Sequence, residues 1–191
     1  MYYERHLPHW HPEGAAVFVT WRLYGSLPRE RAFLISNGRE AGHSFSLIDR
    51  ELAEASIGPK WLADSCVAKE IASALEYGER ELKLFSLRSW VIMPNHVHIL
   101  IYPERDLSRI TRAIKNYTGR RANEILERTG QAFWQNESYD HWVRDADGVE
   151  RIVRYIEGNP VAAGFVARPE DWRWSSGWAG QEAYPTKGVE E

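Results

Sequence analysis

Two apolar runs separated by a three-residue break constrain the fold of this chain most strongly. Residues 85–92 form the first run, and the second strand begins at His96. Its residues 97–102 are too few and too rich in β-branched side chains for a helix, a pattern typical of a buried strand. Between the two runs stands Met93-Pro94-Asn95, and a proline cannot continue a central strand. The sequence therefore predicts two adjacent antiparallel strands joined by a tight connection.

Two histidines stand at the start of the second predicted strand. His96 and His98 are two residues apart, and such residues point to the same face of a sheet. The two rings would lie side by side at the end of the sheet, where a ligand can reach them, and could each place a nitrogen about 2 Å from one cation. The spacing alone is equally consistent with a polar strand end that makes ordinary hydrogen bonds. His9 and His11 share the spacing, but they lie between two prolines, where no regular strand is expected.

A long helix is predicted after this strand. Residues 107–128 contain no proline and one glycine, and Asp106 is suited to cap the first turn. Tyr117 lies at the rim of the apolar stripe that should pack on the sheet, so that its hydroxyl can reach a site there. The ordinary alternative is a tyrosine whose tip lies in water. The stripe consists of Leu107, Ile110, Ile114, Thr118 and Ile125.

The charge of this helix differs from that of the whole chain. The chain has a net charge of -3, whereas residues 107–128 carry six basic and two acidic residues. Arg121 follows Tyr117 by one turn and falls within the apolar stripe. Most arginines at such positions extend their charged end to solvent. One that faces the histidine pair is a candidate to bind a phosphate.

These motifs, taken together, resemble the REP-associated tyrosine transposases, a branch of the single-tyrosine HUH endonuclease and transposase superfamily. Residues 93–100 match the histidine–hydrophobe–histidine motif of that family, and residues 115–118 match the region of its catalytic tyrosine. Further blocks follow in the expected order along nearly the whole chain, at residues 5–12, 133–135, 139–141, 155–164 and 172–176.

The resemblance implies a metal-dependent enzyme that cleaves and rejoins single-stranded DNA at hairpin-forming repeats. Tyr117 would be the nucleophile that forms a covalent 5′-phosphotyrosine, with Tyr139 as the next candidate. His96 and His98 would bind Mg²⁺ or Mn²⁺ and thereby orient the scissile phosphate. Three basic residues of the tyrosine's helix are candidate DNA contacts: Lys115, Arg120 and Arg121.

Two histidines leave the coordination shell of a cation incomplete, so a third protein ligand is expected. Glu124 shares a helix face with Tyr117, being seven residues further along. Asn123 resembles an asparagine in this part of related sequences. Both residues remain candidates, and water and phosphate oxygens would supply the other ligands.

Two other functions fit parts of the pattern. In a zinc metallohydrolase, His96, His98 and His141 would bind the metal and activate water, and Tyr117 would be incidental. In a non-catalytic nucleic-acid-binding module, a ferredoxin-like sheet would present aromatic residues at mid-strand. A covalent protein–DNA adduct distinguishes the transferase from both alternatives.

The order of strand, helix, two strands and helix predicts an α+β, ferredoxin-like sandwich with a mostly antiparallel sheet. We expect one domain over residues 1–191, with 159–191 as a C-terminal extension, because a helix predicted at 147–157 should end at Gly158-Asn159-Pro160. A single cysteine, no membrane-spanning run and no apolar signal region at the N-terminus favour a cytoplasmic protein. The oligomeric state is not predicted.

Overall fold

The computed structural model describes residues 14–27, 52 and 58–178. In these ranges four strands form one sheet in the order β2-β3-β1-β4, and every neighbouring pair is antiparallel. This confirms the predicted α+β class, and the strand order is that of a ferredoxin-like sheet. The elements are β1 (Ala16–Arg22), α1 (Ser65–Arg80), β2 (Phe85–Ile92), β3 (His96–Pro103), α2 (Leu107–Ile125), β4 (Tyr139–Val143) and α3 (Ala146–Ala162), with short 3-10 turns at Trp61–Ala63 and Pro169–Asp171.

The predicted connection between β2 and β3 is confirmed. Ile92 pairs with Val97, and the backbone N–H of Met93 donates to the carbonyl of His96 over 2.9 Å. His96 is the first residue of β3. The histidine pair therefore begins a strand, as the sequence predicts.

One face of the sheet is covered by α1 and α2. Val19 of β1 opposes Ile99 of β3, and side chains alternate along a strand, so the odd-numbered residues of both strands share this face. We call it the helix-pair face. Both helices lie on it because both β–α–β crossovers of this fold are right-handed. Its core includes Val17, Trp21, Val97, Ile71, Leu75, Ile110 and Ile114.

The opposite face carries the even-numbered residues of β1 and β3 and is covered by α3. Thr20 opposes His98 on it, and Phe18 packs there against the apolar side of α3, formed by Val153 and Ile156. We call this the histidine face. The helix that contacts the histidines is therefore α3, not α2.

The predicted bounds of β2 are confirmed and those of β3 and α2 change only slightly, but the end of α3 was wrongly predicted. The helix continues through Gly158 to Ala162, with Pro160 inside it. A proline lacks the N–H that would donate to the carbonyl of Ile156, whereas the carbonyl of Pro160 accepts from the N–H of Phe165 over 2.9 Å. The proposed division at residue 159 thus falls within a helix.

The opening motif, with His9 and His11, and residues 179–191 lie outside the described residues. None of the helices in the described ranges combines the length and the apolar character needed to cross a bilayer.

Candidate metal centre and active site

His96 and His98 lie side by side on the histidine face. Their ring centroids are 4.6 Å apart at an interplanar angle of 68°. This confirms that the two rings share a face. Both residues are 0% exposed, however, so the expectation that they line an accessible end of the sheet is wrong. They lie beneath α3, which packs on this face and places the ring of Tyr155 against that of His98.

Each histidine ring is held through its Nδ1 atom. Nδ1 of His98 shares a hydrogen bond with Oγ1 of Thr20, and Nδ1 of His96 with Oδ1 of Asn95, both over 2.7 Å. The amide of Asn95 is itself oriented, because its Nδ2 donates to the carbonyl of Leu52 over 2.9 Å. Oδ1 must then accept, so Nδ1 of His96 carries the proton and Nε2 is the nitrogen that can ligate a cation.

Tyr155 of α3 lies against this pair. Its ring centroid is 5.9 Å from that of His98 and 6.1 Å from that of Phe18, which stacks on His98 at 5.5 Å. The Tyr155 hydroxyl is buried. Asn159 follows one helical turn later and is 7% exposed, so it lies on the same side of α3. The structure thus brings a phenol and an amide to the histidine face.

Tyr117 lies elsewhere, and the prediction that it reaches the histidine pair is wrong. Its helix, α2, packs on the helix-pair face through Ile110 and Ile114, so the sheet separates it from His96 and His98. The side chain of Tyr117 is also 45% exposed. It corresponds to the ordinary alternative, an amphipathic tyrosine with its tip in water.

Arg121 does not face the sheet either, which corrects its predicted place in the buried stripe. It forms ion pairs with Glu124 on the same helix and, at 3.6 Å, with Glu70 of α1. The hydrogen bond to Glu124 and the charges of both glutamates raise the pKa of Arg121. The exposed guanidinium is thus paired with carboxylates of two helices, and its charge needs no partner on the sheet.

The two candidate third ligands are also on the wrong side of the sheet. Asn123 of α2 donates from Nδ2 to the carbonyl of Gln131 over 2.7 Å, and Glu124 pairs with Arg121. Neither approaches the histidines, because α2 covers the other face. Their assignment as metal ligands is therefore wrong.

Lys115 has a structural contact that the sequence did not reveal. Its Nζ donates to the carbonyls of Gln135 and Asn136 over 2.7 and 2.9 Å, and to Oγ of Ser138 over 3.1 Å. It therefore holds the loop that leads into β4. Arg120 is exposed on α2, and its role as a DNA contact stays a prediction.

Two titratable residues of β4 share the histidine face. Tyr139 opposes Thr20, and His141 opposes Phe18. Burial, with a smaller effect of Asp140, raises the pKa of Tyr139, which disfavours the phenolate that a nucleophile needs. Burial and Arg144 lower the pKa of His141, against the opposing charge of Asp140.

No group of three His, Cys, Asp or Glu side chains in the described ranges is placed to hold one metal ion. Among the described residues, a third protein ligand to a cation at His96 and His98 would therefore be a neutral oxygen donor. Asn159 is such a donor. The sequence contained a signal for Tyr155 and Asn159. They are four residues apart, about one helical turn, and stand on either side of Ile156, the last residue of the apolar stripe of α3.

Comparisons with known proteins identify the family. The family model described as IS200-like transposase matches residues 60–159. A Haemophilus influenzae protein provisionally named REP-associated tyrosine transposase is 30% identical over an alignment of 96 residues. The match covers 44% of this chain and 54% of the relative, so the chain spans about half of that relative's length. The solved structure of a REP-associated tyrosine transposase bound to a REP hairpin has the same fold, with a TM-score of 0.54, 19% identity and 98% of each chain covered. Because the family model spans more than half of the sequence, including both histidines, Tyr155 and Asn159, the chain belongs to the family of IS200-like transposases.

Proposed function

We propose that the protein is a metal-dependent single-stranded DNA endonuclease and strand transferase that acts on hairpin-forming repeats, with Tyr155 as its nucleophile. The observation that carries this proposal is the 5.9 Å separation of the Tyr155 and His98 rings on a face that also holds His96. Membership of a transposase family supports the reaction class. The relative solved with a REP hairpin supports the DNA structure that would be recognised.

The donors on the histidine face fit a divalent cation such as Mg²⁺ or Mn²⁺. Nε2 of His96, Nε2 of His98 and the amide oxygen of Asn159 would hold it. These donors are neutral, so the bound ion keeps its positive charge for the scissile phosphate, which it would neutralise and orient as a Lewis acid. A structural zinc site would need further charged or histidine ligands, which the described residues do not place here.

Tyr155 would perform the covalent step. Its hydroxyl oxygen forms a bond to phosphorus while the bond from phosphorus to the 3′-oxygen breaks. The phenol loses its proton and the departing 3′-oxygen gains one, which leaves a 5′-phosphotyrosine and a free 3′-hydroxyl. Because the phosphotyrosine conserves the phosphodiester bond energy, a 3′-hydroxyl can reverse the step and reseal a strand. A phenol has an ordinary pKa of about 10, so the phenolate requires positive charge nearby.

Burial adds a conformational requirement. His96 and His98 are not exposed, and the Tyr155 hydroxyl is buried with them beneath α3. A phosphate can reach these groups only if covering side chains give way. The helix that supplies the nucleophile contributes part of that cover, because Tyr155 lies against the ring of His98.

Adduct formation tests the proposal directly. The protein is incubated with an end-labelled hairpin oligonucleotide and Mn²⁺, and denaturing gels are used to detect labelled protein. We expect an adduct with wild type and with Tyr117→Phe, none with Tyr155→Phe, and reversible loss with EDTA. An adduct that persists in Tyr155→Phe would exclude this nucleophile. Metal-dependent cleavage without any adduct would favour the hydrolase, and binding without cleavage would favour the binding module.

A further inference from the structure

Arg22 is the charged side chain nearest to His96 along the sheet register. It is the last residue of β1 and directly opposes His96 on β3. Its neighbours Trp21 and Leu23 belong to the core of the helix-pair face, so Arg22 points to the histidine face. Opposed residues on one face of an antiparallel pair have Cβ atoms about 5 Å apart.

The backbone around Arg22 is fixed from both sides. Its carbonyl accepts from the N–H of Gln135, and the N–H of Leu23 donates to the carbonyl of Asn95, both over 2.9 Å. The Nη1 atom donates to Oγ of the buried Ser26 over 3.3 Å. This contact engages one of the five N–H donors of the guanidinium, and the residue itself lies directly opposite His96 in the sheet.

The electrostatic setting favours an anion at this position. Burial lowers the pKa of Arg22, and the negative charge of Glu137 acts against that shift. A guanidinium that is partly withdrawn from water is stabilised most by a partner that brings negative charge into the site. A metal ion bound by His96 and His98 would also attract an anion.

We propose that Arg22 contacts a non-bridging oxygen of the phosphodiester held at His96 and His98, and that it neutralises the charge which develops there during cleavage. The inference rests on the proposed function. A planar guanidinium matches two phosphate oxygens, whereas an ammonium binds as a point charge. Such a group acts from a fixed position when charge accumulates in the transition state.

Substitution of Glu137 should affect phosphate binding in the opposite direction from substitution of Arg22. It belongs to the loop that Lys115 holds, and its carboxylate attracts the same guanidinium that the phosphate would bind. Glu137→Gln removes this competitor. The contact therefore predicts that Arg22→Gln weakens phosphate binding and that Glu137→Gln leaves it unchanged or strengthens it.

The rate test compares a charged with a neutral scissile linkage. Single-turnover adduct formation is measured on a hairpin oligonucleotide and on the same oligonucleotide with a methylphosphonate at the mapped cut. We expect Arg22→Gln to lose about ten- to a hundredfold in rate on the phosphodiester and less than about threefold on the methylphosphonate. Arg22→Lys should recover little of the loss. The matched control is Arg105→Gln, an exposed arginine beyond the other end of β3.

A binding test separates this inference from the proposed function. In the Tyr155→Phe protein, Arg22→Gln should reduce affinity about tenfold for the hairpin oligonucleotide, but not for one whose single-stranded segment is all methylphosphonate. Equal losses on charged and neutral DNA, or no loss on either, would overturn the Arg22 contact. If wild type forms no adduct while the charge-selective loss of affinity remains, the transferase function fails and the phosphate contact stands.

Discussion

The two faces of the sheet are both buried, but they carry different kinds of side chain. The helix-pair face is apolar across β1 and β3, and the ion pairs of Arg121 with Glu124 and Glu70 lie at its exposed edge. The histidine face instead buries Thr20, His96 and His98 in the same two strands. Under the proposed function, alternate residues of one strand serve stability on one side and chemistry on the other.

The polar groups of the histidine face are held by specific partners. Thr20 and Asn95 fix the two imidazoles, and Phe18 and Tyr155 enclose His98. Buried polar groups cost stability unless they are hydrogen-bonded. Within β1 and β3 the buried polar residues lie on the histidine face alone, which supports the proposal that this side carries the site.

The largest expected contrast comes from two neighbouring residues of β3. His98→Ala should reduce cleavage by more than about a hundredfold, because loss of a ligand should exceed the ten- to hundredfold cost of losing a residue that merely orients one. Ile99→Ala, on the helix-pair face, should lower the free energy of unfolding by about 2–5 kcal/mol while folded molecules keep their rate. Single-turnover rates and urea unfolding measure the two effects. Cleavage that survives His98→Ala, or is lost in folded Ile99→Ala, would remove the contrast.

A smaller contrast compares one substitution on the two faces. Thr20→Val removes the hydrogen bond to Nδ1 of His98 and should weaken Mn²⁺ affinity about ten- to a hundredfold. Thr118→Val removes the acceptor of Trp134 Nε1 on the helix-pair face and should cost about 1–3 kcal/mol of stability without changing the affinity for metal. Calorimetric Mn²⁺ titration of both variants provides the comparison. Equal metal affinity in the two would mean that Thr20 does not orient the ligand.

The smallest effect is expected at the exposed edge of the helix-pair face. Arg121→Leu removes ion pairs with Glu124 and Glu70, and exposed pairs contribute little. We expect the single-turnover rate to stay within about twofold of wild type. A tenfold or greater loss would show that α2 contacts the DNA near the reacting phosphate, and the functional division between the faces would then be wrong.

The fold was readable from the sequence because its signals are local. The break at Met93-Pro94-Asn95 predicts the β2–β3 hairpin, and Asp106 caps α2 as expected, with its side chain accepting from the N–H of Arg109 over 3.0 Å. The spacing of His96 and His98 fixes their common face. Each of these inferences needs only neighbouring residues and the period of one element.

The helix that covers the histidines could not be predicted in the same way. A strand buried on both sides is apolar at nearly every position, so its pattern does not show which helix covers which face. Sequence order alone favours the helix that follows β3 as the cover of the histidines, and that helix carries Tyr117. The crossover handedness places α1 and α2 together, and the histidine face is left to α3 and Tyr155.

The most direct test of the central claim is to locate the covalently modified residue in the wild-type protein. After reaction with a hairpin oligonucleotide and Mn²⁺, the adduct is digested with nuclease and protease, and the remaining nucleotide is mapped by mass spectrometry. We expect a nucleotide on the peptide that contains Tyr155. A nucleotide on Tyr117, from the other side of the sheet, would contradict it.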